Sequence, residues 1–225
     1  MRDPGRYTAE VFRTLARAQG ITLAAPEPSG TRPEGREVGR GESEALTEVL
    51  REMLKFSTNL TAECVGLTAS GQQSLAASAR AMDAWVRERF GVTVSLADHS
   101  GLGGASRVTA GGMVRILGQA HREGLGLKPL LRDVGMKDDK GRVIEGHAVK
   151  VLAKSGTLNF VSGLAGHISP PGGRELIFAI FTGDPERRDA VPVALREEPE
   201  GGKAWTKRAR TLQGQLVNRW AAAWG

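Results

Sequence analysis

Val149-Lys150-Val151-Leu152-Ala153-Lys154-Ser155-Gly156-Thr157-Leu158 opens the stretch whose reading decides the fold. Residues 149–153 read as one strand, 158–168 as a second and 176–182 as a third, each rich in apolar and β-branched residues. Pro170-Pro171-Gly172-Gly173 joins the last two. Links this short predict an antiparallel meander, because a parallel pair needs a long crossover. Lys154-Ser155-Gly156-Thr157 falls between the first two strands and reads as a strand-end turn.

Outward from the meander the period is helical. Residues 7–19 predict a helix with Val11, Phe12, Leu15 and Ala18 on one face and Gly20 as its stop. Residues 21–23 read as a short extended piece, and 25–41 as a flexible loop rich in Pro, Gly and Arg. Ser43 reads as the N-cap of an amphipathic helix striped by Leu46, Val49, Leu50, Met53 and Leu54. A helical pattern then runs over 60–90 with a break near Ser70-Gly71.

Residues 92–96 predict a strand, 98–107 a Gly-rich loop, and Thr109 the cap of another helix. Residues 124–146 and 184–202 read as loops. A last helix places Trp205, Ala209, Leu212, Leu216 and Trp220 on one buried stripe. Helices, then a small sheet, then a closing helix predict an α+β fold with helices packed on one antiparallel sheet.

The net charge of +6 and pI near 9.9 raise the question of nucleic acid. The charge is dispersed, and no basic stretch interleaves with the eleven aromatics as a base-stacking surface would, so no nucleic-acid partner is expected. No apolar run nears the ~20 residues of a membrane span. No signal peptide is read, because Met1-Arg2-Asp3-Pro4 leads directly into the first helix. The single cysteine, Cys64, excludes an internal disulfide and is expected to be a buried small hydrophobe. His99, His121, His147 and His167 are scattered, so no metal site and no cofactor are expected. His99 itself reads as a solvated loop residue.

Three short motifs could carry chemistry. Ser57-Thr58-Asn59 lies between two helices; Ser57 is either an N-cap or a proton relay, and the Asn59 amide could fix a substrate amide. Asp98-His99-Ser100-Gly101-Leu102 reads as an Asx or Ser turn, structural for Asp98, Ser100 and Gly101. Lys154 would project an ammonium beside a sheet edge where an extended peptide could add as a strand. There Ser155 adds a hydroxyl, Gly156 allows close approach, and Thr157 offers a hydroxyl and an N–H. Together they suit a terminal carboxylate and part of an oxyanion hole.

In order, these motifs resemble the serine-type D-alanyl-D-alanine carboxypeptidase/endopeptidase family, the class C (PBP4-like, DacB-like) penicillin-binding proteins of peptidase family S13. Leu54-Lys55-Phe56-Ser57-Thr58-Asn59-Leu60-Thr61-Ala62-Glu63 is similar to the Ser-x-Asn region. Asp98 to Leu102, continuing to Arg107-Val108-Thr109, is similar to the Asp-Gly-Ser-Gly-Leu segment. Ala153 to Leu158, with Val161 and Gly163-Leu164-Ala165-Gly166, resembles the Lys-Thr-Gly strand and hairpin. His99 for Gly, the Gly103-Gly104 pair, Ser106 for Asn and Ser155 for Thr depart from the pattern.

The resemblance implies part of a β-lactamase/penicillin-binding-protein transpeptidase-like fold, with residues 1–225 its C-terminal part. It implies an acyl-enzyme peptidase of peptidoglycan stem peptides, in which Ser57 shuttles a proton and Asn59 holds the acyl amide. Lys154 and Ser155 would bind the carboxylate, with Gly156 and the Thr157 N–H beside them. β-Lactams would acylate the same nucleophile. The fourth family motif, Ser-x-x-Lys, occurs nowhere in the 225 residues. The chain is therefore expected to supply the substrate-binding half without the nucleophile, which a missing N-terminal segment would carry. The alternatives are a non-catalytic peptidoglycan- or protein-binding module and a degenerate remnant. The family resemblance implies a periplasmic setting, and a true start at Met1 a cytoplasmic one.

Overall fold

Asp3 begins the first helix by accepting the Arg6 N–H at 2.9 Å, and Pro4 fits the first turn because it has no N–H to lose. Helix α1 (Pro4–Ala18) presents Tyr7, Phe12 and Leu15 as exposed residues, and Gly20 follows with φ +78. The expected extended piece at 21–23 forms no strand; Arg13 Nε donates to the Leu23 carbonyl at 3.2 Å. The computed structural model describes residues 3–31, 34–138 and 140–225, without the side chain of Val193. Met1-Arg2 of the leader reading, Arg32 and Pro33 of the 25–41 loop and Asp139 lie outside the described residues. The chain divides into two units, Met1–Ser43 and Glu44–Gly225.

In the second unit, helices α2 (Leu46–Phe56), α3 (Asn59–Ser70), α4 (Leu75–Phe90) and α5 (Ala110–Arg122) precede the sheet. Strands β1 (Arg132–Asp133), β2 (Lys150–Leu158), β3 (Val161–Ser169) and β4 (Leu176–Gly183) form it, antiparallel and in chain order. Helices α6 (Pro185–Asp189) and α7 (Gly202–Trp224) close the chain. Among the described residues no helix is long and apolar enough to cross a membrane.

Strand alternation sorts the two covering layers. On β3, His167 faces α5, where its ring lies 5.4 Å from that of His121, whereas the next residue, Ile168, packs with Val217 and Ala221 of α7. Val151, Ala153, Phe178 and Ile180 complete that α7-side core. The sheet is therefore a middle layer, with α5 on one face and α7 on the other.

Several local expectations change. Lys154-Ser155-Gly156-Thr157 is not a turn: β2 runs through it to Leu158, and the hairpin turns at Asn159-Phe160. Residues 92–96 form only an isolated bridge, Ser95 to Arg107, while Val92 and Val94 pack on α4 beside Val86 and Phe90. Ser43 caps nothing; Ala45 holds the N-cap position of α2 without a side-chain bond. On α7 the fully buried stripe is Ala209, Gln213, Val217 and Ala221; Leu216 and Trp220 of the expected stripe pack partly buried on the same core and Trp205 packs on Phe160, while Leu212 is exposed. Cys64 is exposed. Thr109 does cap α5, accepting from Gly112 N at 3.0 Å.

Candidate active site

Ser57 ends α2 rather than starting α3. It is the C-cap, with left-handed φ 57 and ψ 48, and Thr58 takes the N-cap position of the next helix. A serine in this region is strained, and such strain concentrates where a side chain must be aimed. Here the Ser57 hydroxyl accepts a hydrogen bond from Lys154 Nζ at 3.0 Å, across 97 positions of sequence.

The Lys154 ammonium also donates to the Ser155 carbonyl at 2.6 Å. Burial and then the Arg132 guanidinium push its pKa below the ordinary 10.5. Between that lowered pKa and 10.5 the unfolded chain holds more protons at this lysine than the folded chain. The Lys154 contribution to stability therefore grows as pH rises through that window and is lost as pH falls. Replacing Arg132 by Gln should raise the Lys154 pKa, read from the ε-carbon shift in an NMR pH titration. An unmoved midpoint would remove Arg132 as a cause.

Backbone direction matters as much as side chains. Val151 directs its carbonyl toward β1, bonding Val134 N at 2.8 Å. By alternation, the N–H and C=O of Ala153, Ser155 and Thr157 point the same way. Strand β1 pairs only with Leu152 and Ala153, so beyond them this edge has no paired strand among the described residues. The Ser155 and Thr157 backbone groups thus face an open edge, with the Lys154 ammonium beside it. A cleft of about 260 Å³ lies there, lined by Lys55, Ser57, Arg132, Lys154, Ser155 and Thr157 among others.

The Ser155 and Thr157 side chains stand on the opposite face from Lys154, toward α7. Arg210 Nη2 donates to Thr157 Oγ1 at 3.1 Å. Arg132, Lys137 and Arg210 border a second cavity there, of about 230 Å³. Burial, then Arg210 and Arg132, depress the Lys137 pKa. Of the expected residues, Ser57, Lys154, Ser155, Gly156 and Thr157 meet at one cleft. Asn59 is exposed at the first position of α3 and is not among the residues lining it.

The Asp98 loop is held against α3 by Glu63, whose carboxylate accepts His99 N at 3.2 Å and Ser100 N at 3.1 Å. Asp98 accepts Gly101 N at 2.7 Å, and Ser100 Oγ accepts Leu102 N at 3.3 Å. His99 is not solvated: its Nε2 lies 2.6 Å from Ser78 Oγ. Its ring occupies the space over Gly66, where a Cβ would come within 2.2 Å. The sequence reading missed Arg132 and Arg210. Neither belongs to a motif, and only tertiary structure brings them to the β2 edge.

A model of the D-Ala-D-Ala carboxypeptidase 3 (S13) family matches residues 1–197. A carboxypeptidase of Mycobacterium tuberculosis (Rv3627c) is 27% identical over 201 residues, covering 80% of this chain and 43% of that protein. Penicillin binding protein 4 (DacB) of Haemophilus influenzae, solved with a β-lactam, superposes with a TM-score of 0.66 at 20% identity. That match covers 96% of this chain and 51% of the solved one. A predatory endopeptidase of Bdellovibrio bacteriovorus (Bd0816), solved with an immunity protein, gives a TM-score of 0.55 at 18% identity, over 96% and 57%. The chain thus spans about half the length of the relatives it matches, and it shares the transpeptidase-like fold of the solved ones.

Proposed function

Because the chain belongs to the D-Ala-D-Ala carboxypeptidase 3 (S13) family, we propose that it forms the substrate-holding wall of a serine-type peptidase acting on peptidoglycan stem peptides. The observation that carries this reading is the Lys154–Ser57 bond at 3.0 Å beside the open edge of β2. An extended peptide adding to that edge would meet the backbone groups of Ser155 and Thr157. Its terminal carboxylate would sit against the Lys154 ammonium, with Ser155 and Arg132 beside it. Gly156 leaves the backbone uncovered, since no atom lies within 4 Å of where its Cβ would be.

The chemistry then divides between this chain and a serine outside these 225 residues. That serine's oxygen would bond the penultimate carbonyl carbon as its O–H proton passes to a base on the same outside segment, from which Ser57 would take it, and the Thr157 N–H would stabilise the oxyanion. Ser57, held by Lys154, would pass a proton to the departing D-Ala nitrogen as the C–N bond breaks. Asn59 would hold the acyl amide. Water would then release the acyl group and regenerate the serine. β-Lactams would enter by the same route, and the setting would be the periplasmic face of the cell wall.

Calorimetry with a peptide ending in D-Ala-D-Ala tests the wall alone. Binding is expected near about 1 mM, and Lys154→Ala should weaken it roughly tenfold or more, the scale of one charged hydrogen bond. A peptide with an amidated C-terminus should bind as poorly. Equal binding of acid and amide, or no change in Lys154→Ala, would sink the reading. A second reading, a peptidoglycan-binding module without cleavage, rests on the same Lys154-Ser155-Gly156 edge, which can hold a peptide terminus without cutting it. It predicts the same calorimetry and no turnover when a serine-bearing segment is supplied.

A further inference from the structure

We infer that His121, His167 and Glu175 form a binding site for a borderline divalent metal ion, zinc being the best match. Three elements supply the donors: His121 from the last turn of α5, His167 from β3, and Glu175 from the residue before β4. One ligand atom from each lies within 4.8 Å of the others. Spacing in the sequence hides this cluster, because the meander brings positions 167 and 175 under a helix that ends at 122.

The arrangement points to a cation rather than to a hydrogen-bonded trio. Both imidazole Nδ1 atoms approach the same carboxylate oxygen, Glu175 Oε1, His167 at 2.8 Å and His121 at 3.7 Å. One bond satisfies His167, but His121 is left beyond hydrogen-bond range of that oxygen. An ion between the three atoms would serve all of them after shifts of about 1 Å, reaching the ~2.0–2.2 Å bonds of zinc. The His167 side chain is only 2% exposed, so its imidazole is held by packing and brings a fixed donor to the cluster.

Two imidazoles and one carboxylate are the donor set of open, three-ligand zinc sites, with water in the fourth place. A cleft of about 240 Å³ beside His121 and His167 gives that water and the ion a way in. On the far carboxylate oxygen, Glu175 Oε2, the Lys128 ammonium donates a hydrogen bond. It orients the carboxylate and also opposes a second cation nearby, so it tunes affinity downward.

The test uses the full chain without a histidine tag. Zinc calorimetry should show one site with a dissociation constant of about 1–100 µM, and cobalt should give visible d–d absorption of a tetrahedral site. His121→Ala changes an exposed side chain, so the fold survives; it should weaken binding about a hundredfold, and Glu175→Gln by a similar factor. Lys128→Met should tighten binding about three- to tenfold by removing the repelling charge. His147→Ala, outside the cluster, should change nothing. Absence of binding at about 1 mM zinc overturns the site. So does affinity unaltered in His121→Ala and Glu175→Gln, or weaker binding in Lys128→Met.

Discussion

Incubated with a fluorescent penicillin and run on a denaturing gel, the 225-residue chain should carry no covalent label. Acylation of a β-lactam needs an activated nucleophile, with a base positioned to take its proton. Ser-x-x-Lys, which supplies both in penicillin-binding proteins, is absent from these residues. In a comparable serine enzyme, loss of the nucleophile costs about 10⁶ in kcat. The one serine placed to imitate it is Ser57. Lys154 Nζ stands 3.0 Å from its oxygen, and the ammonium is depressed in pKa by burial and by Arg132. Even so, Lys154 donates to that oxygen, and Ser57 is fixed by a left-handed backbone at a helix junction. Those features suit a proton relay. Mass spectrometry locating stoichiometric penicilloyl on Ser57 would convert the pair into a Ser–Lys nucleophile and end the reading of this chain as a wall alone.

The meander was legible because its strands are apolar, the Pro-Pro-Gly-Gly link is short and chain-order pairing needs no crossover. The first hairpin was misplaced for a physical reason. Ser155 and Gly156 are turn-forming types, yet they run straight along β2, pairing with Leu164 and Gly163. The turn instead uses Phe160, at φ 58 and 1% exposed, a residue type with no turn preference. Tertiary contacts hold it there: the Trp205 ring packs edge-on at 6.2 Å, and the Arg187 guanidinium stacks at 4.4 Å. The same override brings Gln213 into the buried seam of α7, where its Nε2 reaches Ser162 Oγ at 3.1 Å.

At the site, Ser57 and Lys154 were found through motif order, not through spacing. The fold gives the reason they meet: Lys154 and His167 share the α5 face of the sheet, and α2 ends beside Lys154. Arg132 carried no sequence signal, because a two-residue strand has no period to read. Its placement beside Lys154 comes only from pairing with Ala153.

The pairing of β2 with β3 makes Gly166→Ala a strongly damaging small substitution. Gly166 sits opposite Ala153, one position from the Lys154 pair. A Cβ there would lie 2.1 Å from the Leu152 carbonyl oxygen and 2.6 Å from the Ala153 Cα. Both are backbone atoms of β2, so no rotamer change relieves the overlap. Either β2 and β3 separate, or β2 slips. A one-residue slip would carry Lys154 to the α7 face and place Ala153 opposite Ser57.

Overpacking of this kind should cost about 3 kcal/mol or more in urea unfolding, well above an ordinary surface substitution. Gly111→Ala is the matched control: it lies on α5 with nothing within 4 Å of its Cβ position. It should instead gain about 0.5–1 kcal/mol from helix propensity. A Gly166→Ala midpoint equal to the parent's would mean that β2 and β3 do not approach this closely. The register that aims Lys154 at Ser57 would then fall with it.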